Sequence, residues 1–567
     1  MRFKKASRFA DHHDVVLVGY RGVDGSVRLD CPEVASALKR SVDFLGQKSF
    51  RAYSDGFRFC AARLAADGTD LAGYGMPQQV DDFEAARKAL GYRKIDLLSE
   101  SAGTRLALIY SWRYPRSIHR SVLIGVNPPG HFLWYPKTTD EQIRRYARLC
   151  AGDASCSKRT DDLAATLRRT AANLPGRFWG LPIRKSSARI ASFYGLMESS
   201  PEAAPLSGPM TIDAWLSAAS GDASGLWFEA FLARFALPES FVWGELAAVA
   251  RADAGVSERY YSSRAGRRRS IIGNPAADFI MGRGGLMRAW PANPTDDEFN
   301  HVRTSRVETL LVGGALDFTT PPQIARRELL PHLPNGHQVV LSGVGHTTSF
   351  WAYEPAASGR LVNTFLDSGK VDTSLYTPAK VDFTPEVTQT ALGKGFVGAM
   401  LALPVVVVLS LLLMWRRTRK RGRVGRKASI LLRSAYTVVL GLGGWFAGLV
   451  LAQFAFPALP LDSALLAVVS IGVPTGLGIY LAWVNRTRPA RARRGGLSGA
   501  LTGALVGAFL GFHAADGLLA VVSTIVGAAV GANLMLLVLD ISWDRQVRDP
   551  SVESVVTERL EPRPSIG

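Results

Sequence analysis

The sequence has few charged residues and few cysteines for its length. Only 20% of its 567 residues are charged and four are cysteines, so the chain is not a small scaffold held together by many disulfides. It also has no glycine-rich phosphate loop, no Rossmann fingerprint and no cluster with metal-ligand spacing, and we therefore predict no cofactor and no metal. An apolar share of 47% excludes a disordered chain. The length suggests roughly three or four domains.

Long uncharged runs are absent from the first 394 residues and dominate the rest of the sequence. The first run, Gly395–Met414, has 20 residues, enough for a helix that crosses the hydrocarbon core of a bilayer. Further runs occupy 434–456, 463–484, 497–512 and 518–539. We predict five membrane-spanning helices within 395–541, with a single re-entrant hairpin around His513–Gly517 as the alternative for the last two. These two runs are rich in glycine and alanine, which favours close packing inside a helical bundle.

The positive charge, a formal net +19, is concentrated in two of the loops between these runs. Arg416–Lys427 holds eight basic residues, and the loop before the fourth run holds five arginines, whereas the loops Gln453–Asp462 and Gly511–Gly517 hold no Lys or Arg. By the positive-inside rule, both basic loops and the tail 542–567 are cytoplasmic and residues 1–394 lie outside. We therefore expect contact with a lipid bilayer and no nucleic-acid binding. For Arg416–Lys427 we favour a stop-transfer anchor near anionic lipid over a specific partner site.

The four cysteines favour two disulfides, because an even number in an extracytoplasmic domain is typical of oxidised pairs. Cys150 and Cys156 lie six residues apart, a spacing suited to a bridge across a turn, and Cys31 and Cys60 remain. Three pairings are possible. We predict Cys31–Cys60 and Cys150–Cys156, with four buried free thiols as the alternative. The C-x₅-C spacing is not a good zinc signature.

The first 394 residues alternate strand-like and helix-like patterns. Short apolar runs bounded by polar residues predict buried strands at 14–19, 94–98, 307–314 and 339–341, and helical spacing predicts helices over 80–90 and 104–114. The turn Ser99-Glu100-Ser101-Ala102-Gly103 joins the second strand to the second helix. A strand, a turn of small residues and a helix form the context of a nucleophile elbow, in which a strained turn exposes a serine hydroxyl.

An acid and a histidine follow in the chain order that such an elbow requires. Asp317 comes directly after the strand 307–314, and His346 comes after the strand 339–341. Both would lie beyond the carboxyl ends of strands, where open α/β sheets place their sites. His332 and His337 precede the last strand and would lie at the wrong end.

These residues predict acyl-transfer chemistry. His346 would take the Ser101 proton during attack on a carbonyl and return it to the leaving group. Asp317 would orient the imidazole and stabilise its charged form. The backbone N–H of Ala102 would donate to the oxyanion.

Four stretches of the sequence resemble the α/β-hydrolase family of tripeptidyl aminopeptidases and prolyl iminopeptidases. They are VVLVGYRGVDGSVRLDCPEV, VDDFEAARKALGYRKIDLLSESAGTRLALIYSWRYP, NPPG, and ALDFTTPP together with VGHTTSFW. The resemblance implies an α/β fold with Ser101, Asp317 and His346 as the triad, and release of short peptides or single residues from free N-termini. Cys31 and the Cys150/Cys156 pair resemble disulfide positions of secreted members.

The same resemblance implies a domain division. An α/β-hydrolase sheet would be built from residues 1–130 and 301–375, with a helical cap over 131–300. A linker over 376–394 would lead into the all-α transmembrane bundle. An acidic cap residue would bind the substrate amine, and five candidates stay open: Glu198, Glu202, Asp213, Glu229 and Glu239.

The elbow departs from the peptidase pattern at two positions. Ser99 stands in place of the first glycine, and Ala102 stands where the peptidases often have an aromatic residue. Because similar elbows occur in carboxylesterases, a carboxylesterase or lipase with the same triad is the second hypothesis. A hydrolase-like ectodomain that only binds a ligand or partner is the third. The sequence does not indicate the oligomeric state.

The beginning of the sequence lacks two features that an exported hydrolase of this family has. The first 14 residues contain no apolar export segment, and no His-Gly-Gly type loop precedes the first predicted strand. We expect the natural start to lie upstream of Met1, with a leader, an earlier strand and the loop that supplies the other oxyanion donor. Without that donor the rate could fall by about 10²- to 10³-fold, and core strands would be unpaired on that side.

Overall fold

We describe a computed structural model of the protein, in which residues 8–10, 13–200, 206–263, 270–272, 278, 286–422, 424–485 and 490–547 are described. The chain divides into two units, Met1–Lys394 and Gly395–Gly567. The division falls where the composition of the sequence changes.

A four-stranded parallel sheet is the centre of the first unit. In the order in which they are adjacent, its strands are β1 (Ile95–Glu100), β2 (Ile118–Ile124), β3 (Glu308–Gly314) and β4 (Gly336–Leu341). Glu100 pairs with Ile124, Ile124 with Val312, and Gly314 with Leu341, so all four strands end at the same edge. Two short ladders are also present, Arg21–Gly22 with Asp24–Arg28 and Arg177–Phe178 with Leu181–Pro182.

Helices flank the sheet and make up most of the segment between β2 and β3. The helices before β3 are α1 (Pro32–Lys39), α2 (Gln47–Ala66), α3 (Met76–Ala89), α4 (Gly103–Arg113), α5 (Pro136–Ala151), α6 (Ala154–Ser157), α7 (Leu163–Ala172), α8 (Lys185–Gly195), α9 (Gly208–Ala219), α10 (Ser224–Ala236), α11 (Trp243–Ala250), α12 (Ala254–Ser262) and α13 (Leu286–Ala289). After β3 come α14 (Pro322–Ile324), which continues as a π-helical turn Ala325–Leu329, then α15 (Thr347–Tyr353) and α16 (Pro355–Ser368). Single 3₁₀ turns occupy Leu71–Tyr74, Pro115–Ser117, Leu237–Glu239, Arg251–Asp253 and Leu330–His332.

The two central strands are buried on both faces, as in other parallel sheets covered by helices. Because successive side chains point to opposite faces, Val122 and Val312 pack with Phe365 of α16 on one face. Leu123 packs with Leu108 of α4 on the other face. The predicted strands at 94–98, 307–314 and 339–341 and both predicted helices are present. β4 starts earlier than expected, so His337 lies inside the strand and not before it.

The predicted buried strand at 14–19 is wrong. Its residues join no ladder, and the side chains of Val15, Val16, Leu17 and Val18 are exposed. β1, the edge strand of the sheet, also exposes Leu98. An apolar run is buried only where a neighbouring strand and a covering layer lie against it, and the described residues place neither there.

The second unit contains mainly long apolar helices. From Gln389 onward the described residues form six helices: α17 (Gln389–Arg421), α18 (Arg426–Arg433), α19 (Tyr436–Ala455), α20 (Ala464–Trp483), α21 (Ala490–Phe512) and α22 (Leu518–Val547). All except α18 are long and apolar enough to cross a membrane, so the described residues contain the five candidate spanning helices that the sequence predicts. The last two runs form separate helices of 23 and 30 residues, each long enough to span by itself.

Two features of this region differ from the expectation. α17 begins at Gln389, inside the predicted linker 376–394, and Lys394 on this helix pairs with Asp222 at 2.6 Å. The helix therefore extends upstream of the apolar run, because its first residues are held by contacts outside it. The short helix α18 was not expected, since its eight residues lie inside a loop rich in basic side chains.

Glycines allow α21 and α22 to pack with their backbones in contact. A Cβ on Gly503 would lie 2.3 Å from the carbonyl oxygen of Gly531, and a Cβ on Gly507 would lie 2.0 Å from that of Gly527. No side chain fits at these positions without moving a helix. The spacing of four residues is the small-residue pattern of close helix pairs in membranes.

We expect Gly507→Ala to destabilise this helix pair by about 1–3 kcal/mol, because the new methyl group overlaps a backbone carbonyl. The measurement is the SDS-induced unfolding of the full-length protein in lipid nanodiscs. Gly495→Ala on the same helix is the matched control, since no atom lies within 4 Å of a Cβ there. Equal stability of the two variants would contradict the close packing.

Candidate active site

Ser101 lies in the sharp turn between β1 and α4. Its φ of 51° is in the left-handed region, which costs a residue with a side chain of the order of 1–3 kcal/mol. The Ser101 N–H donates to the carbonyl of Ile124 (2.9 Å), and Thr104 N–H donates to the carbonyl of Ser101 (2.9 Å). A Cβ on Gly103 would lie 3.0 Å from the Tyr20 hydroxyl oxygen, so a larger residue would require that hydroxyl to move. The turn has the features of a nucleophile elbow.

Asp317 follows β3 and is fully buried. Its Oδ1 accepts hydrogen bonds from the N–H groups of Thr319 and Thr320, both at 2.9 Å, and its Oδ2 accepts one from the Thr320 hydroxyl at 2.6 Å. These donors come from Thr319 and Thr320, two and three residues after Asp317, and the Thr319 hydroxyl also donates to Oδ1 at 2.9 Å. They fix the direction of the carboxylate and compensate for its loss of water.

His346 connects the other two residues. Its Nδ1 lies 2.7 Å from Asp317 Oδ2, and its Nε2 lies 2.9 Å from Ser101 Oγ. The structure therefore brings together three side chains that are up to 245 positions apart along the chain. The parallel strands that precede them end at one edge of the sheet, which is why the three loops meet there.

The charges around His346 change the proton affinities at the site. Burial by itself would lower the pKa of His346, but the charge and hydrogen bond of Asp317, with the charges of Glu198 and Glu100, raise that pKa above its usual value. Burial by itself would raise the pKa of Asp317. The charge of His346, with hydrogen bonds from His346 and Thr320, outweighs burial and holds the pKa of Asp317 below its usual value.

The loop after β2 packs against the imidazole. Gly125 has a φ of 62°, and a Cβ there would lie 2.9 Å from His346 Cε1 and 3.0 Å from Thr320 Oγ1. This glycine leaves the space that the ring occupies. The sequence did not single it out, because only the folded chain shows which ring it faces.

Ala102 lies at the start of α4. In the described part of the chain its backbone N–H has no hydrogen-bond acceptor. The first N–H groups of a helix are at the positive end of its dipole, so this group can donate to an oxyanion.

A buried ion pair joins helix α4, which follows the elbow, to the segment between β2 and β3. Arg105 on α4 and Asp253, in the segment between β2 and β3, have no exposed surface, and Nη1 and Nη2 of the arginine lie 3.1 Å from the two carboxylate oxygens. Asp253 also accepts from the N–H groups of Gly130 (2.9 Å) and Phe132 (3.0 Å). Burial would raise the pKa of Asp253, but the charge of Arg105 outweighs it and lowers that pKa. The sequence analysis did not identify this pair. The signal that could have indicated it is an arginine on the apolar side of a helix, which needs a buried partner.

Among the candidates for binding a substrate amine, two are engaged in ion pairs. Asp213 Oδ1 lies 2.7 Å from Arg159 Nη1, and Glu239 lies 2.7 Å from Lys39 Nζ. Glu202 is outside the described residues. The carboxylates of Asp213 and Glu239 are therefore neutralised by basic side chains of the protein.

The remaining two candidates are buried. Glu229 has no exposed surface, and its Oε2 accepts from the Ser192 hydroxyl at 2.8 Å. Burial raises the pKa of Glu229 to about 8, so this group is mostly neutral at pH 7. The carboxylate of Glu198 accepts hydrogen bonds from Thr348 and Ser349, next to His346.

The cysteines lie in the two pairs expected from the sequence. The sulfur atoms of Cys31 and Cys60 are 1.94 Å apart, and those of Cys150 and Cys156 are 2.02 Å apart. In the ranges that the structure describes, one group of potential metal ligands is close enough to hold an ion, and it contains Cys31 and Cys60 with Glu33. Because its two sulfurs are bonded to each other, we assign no metal to it.

Comparison with known proteins agrees with this architecture. Residues 285–377 match the model of the family described as "TAP-like protein". This part of the chain is similar to a TAP-like α/β-hydrolase domain. It contains β3 and β4 with the loops that carry Asp317 and His346. Ser101 lies outside the matched residues.

Curated relatives match a limited part of the chain. It is 28% identical over 145 residues to the tripeptidyl aminopeptidase of Streptomyces lividans, which covers 24% of this chain and 26% of that protein. It is 32% identical over 94 residues to the putative hydrolase YuaR of Escherichia coli (strain K12), which covers 15% of this chain and 19% of that protein. The chain thus spans about a quarter or less of the length of these relatives.

Solved structures of α/β hydrolases are also similar. One is an α/β hydrolase enzyme from a Medee basin deep-sea metagenome library, with 15% identity, 53% of this chain and 76% of that chain covered, and a TM-score of 0.24. Another is Est816, an N-acyl homoserine lactone degrading enzyme, with 15% identity, coverage of 52% and 77%, and a TM-score of 0.25. TM-scores this low support no conclusion about function.

Proposed function

We propose that this protein is a membrane-anchored serine hydrolase whose active site faces outside the cytoplasm, and that it is an aminopeptidase releasing short peptides or single residues. The observation that carries the proposal is the contact of His346 with Ser101 Oγ at 2.9 Å on one side and with Asp317 Oδ2 at 2.7 Å on the other. A serine, a histidine and an acid in this arrangement are the parts of a nucleophilic catalyst.

The first half of the reaction forms an acyl-enzyme. His346 Nε2 takes the proton of Ser101 as Oγ bonds to the substrate carbonyl carbon, and the carbonyl oxygen becomes an oxyanion that the Ala102 N–H stabilises. Asp317 stabilises the imidazolium that forms. When the tetrahedral species collapses, the C–N bond breaks and His346 passes its proton to the leaving amine.

The second half removes the acyl group. Water attacks the ester carbon and gives a proton to His346 Nε2. The bond from carbon to Ser101 Oγ then breaks, and the proton returns from His346 to that oxygen. The products are a carboxylic acid and the regenerated site.

The proposed location of the active site outside the cytoplasm is inferred from the loops between the candidate membrane helices. Basic residues lie in alternate loops between the five spans, which favours a cytoplasmic position for those loops and an outer position for residues before the first span. Two cysteine pairs at disulfide distance in the first unit agree with an oxidising compartment.

A carboxylesterase with the same triad is the second candidate. None of the described cap acids named above offers an ionised carboxylate without a partner, which an aminopeptidase would use for the substrate amine. Ala102 in the elbow also agrees with an esterase. Both candidates use the same acyl-enzyme and differ in the leaving group.

The test is labelling of intact cells with a membrane-impermeant fluorophosphonate. We expect the full-length protein to be labelled, Ser101→Ala to be unlabelled, and Ser99→Ala, which removes the other serine of the same turn, to be labelled like wild type. Wild-type labelling no stronger than that of Ser101→Ala would end the serine hydrolase proposal. Labelling seen only after cell lysis would reverse the proposed orientation.

Substrates then separate the two candidates. An aminopeptidase will release coumarin from peptide amides with a free N-terminus and will not act on the N-acetylated peptides. Turnover of p-nitrophenyl acyl esters and of no peptide amide would exclude the aminopeptidase and support the carboxylesterase.

A further inference from the structure

The cap segment Met197–Ser199 is in direct contact with the loop that carries His346. The His346 N–H donates to the carbonyl of Met197 at 2.7 Å. A Cβ on Gly345 would lie 2.6 Å from Met197 O and 2.6 Å from Ser199 N, so the two backbones touch. The position of the imidazole is therefore set partly by the cap, and not by the sheet alone.

The carboxylate of Glu198 makes the polar contacts of this segment. Its Oε1 accepts from the Thr348 N–H at 3.1 Å, and its Oε2 accepts from the Ser349 N–H at 2.8 Å and the Ser349 hydroxyl at 2.7 Å. Ser349 Oγ in turn accepts from the Ser199 N–H at 3.0 Å. Only 6% of Glu198 is exposed. These N–H groups belong to the first turn of α15, which starts immediately after His346 and has no intrahelical acceptors for them.

We propose that Glu198 is a positioning residue for His346: its carboxylate caps α15 from the cap domain and holds the imidazole in line with Ser101. This inference rests on the proposed function and adds a role for the cap to it. Because its oxygens are taken by three donors of the protein, Glu198 is not the group that binds a substrate amine.

The charge of Glu198 affects the pKa of His346, so the pH profile of the reaction can report on Glu198. Three carboxylates act on His346 from different elements: Asp317 after β3, Glu100 at the end of β1, and Glu198 in the cap. Each negative charge favours the imidazolium and raises the pKa of His346. Since His346 must be neutral to accept the Ser101 proton, activity rises with pH through this pKa. Loss of the Glu198 charge lowers the pKa and moves the acidic limb of the pH profile to lower pH.

The experiment measures the rate of fluorophosphonate labelling against pH for the full-length protein in nanodiscs, so that no substrate needs to be known. We expect Glu198→Gln to react about 10- to 100-fold more slowly at its optimum, because its amide cannot accept all three hydrogen bonds and the imidazole shifts. Its acidic limb should lie at lower pH than that of wild type. Glu198→Asp keeps the charge and should keep the limb near the wild-type position, with a reduced rate.

The matched control is Glu239→Gln, a cap acid paired with Lys39 and far more exposed. It should match wild type in rate and pH profile. A purely structural role for Glu198 would lower the rate without moving the acidic limb, and an unchanged rate and limb in Glu198→Gln would also overturn the proposal. If Glu198→Gln does not fold, Ser349→Ala removes one hydrogen-bond donor to Glu198 without removing charge, and the proposal requires that it lower the labelling rate.

Failure of the wild-type protein to react with the fluorophosphonate would refute the proposed function, which is an outcome separate from those for Glu198.

Discussion

Asp317→Asn is expected to lower the rate of substrate turnover by about 10⁴-fold and to leave the fold intact. Asp317 Oδ2 accepts the hydrogen bond from His346 Nδ1 at 2.7 Å. An asparagine amide that donates to Nδ1 would force the ring proton onto Nε2, which then cannot take the Ser101 proton. The measurement is kcat on the substrate identified by the coumarin and ester assays, with unfolding followed in parallel.

Asp55→Asn is the control for this prediction. Asp55 is an exposed acid that pairs with Arg58 one helical turn away, and such surface pairs contribute roughly 0–1 kcal/mol. Its kcat should equal that of wild type. A fall of less than tenfold in Asp317→Asn would mean that Asp317 does not orient the imidazole.

Arg105→Met is expected to destabilise the hydrolase unit by about 3–5 kcal/mol, because it leaves the buried carboxylate of Asp253 without its partner. Both side chains are fully buried. The double variant Arg105→Met with Asp253→Leu should recover only part of the loss, since it removes the unpaired charge but leaves the N–H groups of Gly130 and Phe132 without their acceptor. The free energy of unfolding in urea, measured on the full-length protein with a probe in the first unit, checks both expectations.

Arg28→Met is the matched control, because Arg28 forms an exposed ion pair with Asp30. We expect it to change the free energy of unfolding by no more than about 1 kcal/mol. If Arg105→Met behaves like Arg28→Met, the buried pair does not stabilise the fold.

The elements around the predicted site could be read from the sequence because their signals are local. The strands before Ser101, Asp317 and His346 are short apolar runs, and the elbow is five consecutive residues. The order of serine, acid and histidine then needs only the rule that parallel strands end at one edge. The five candidate membrane-spanning helices could be predicted equally directly, because a run of about 20 apolar residues is long enough to cross a bilayer.

The prediction of a strand at 14–19 was wrong because burial is not a local property of the sequence. The composition of this segment is that of a buried strand, but burial depends on what lies beside and above it. In the described part of the chain Val16 and Leu17 remain exposed, and the edge strand β1 also exposes Leu98. A local pattern states the preference of a segment and not the presence of its neighbours.

The sequence by itself determined the α/β pattern, the candidate nucleophile with its acid and histidine, and the apolar helices of the second unit, because each depends on residues close together in the chain. Only the tertiary structure decided which groups Glu198, Arg105 and Asp253 contact. Their contacts join residues up to 151 positions apart, as between Glu198 and Ser349. A buried charge is stable only beside its partner, and which partner it meets depends on how distant segments of the chain pack against each other.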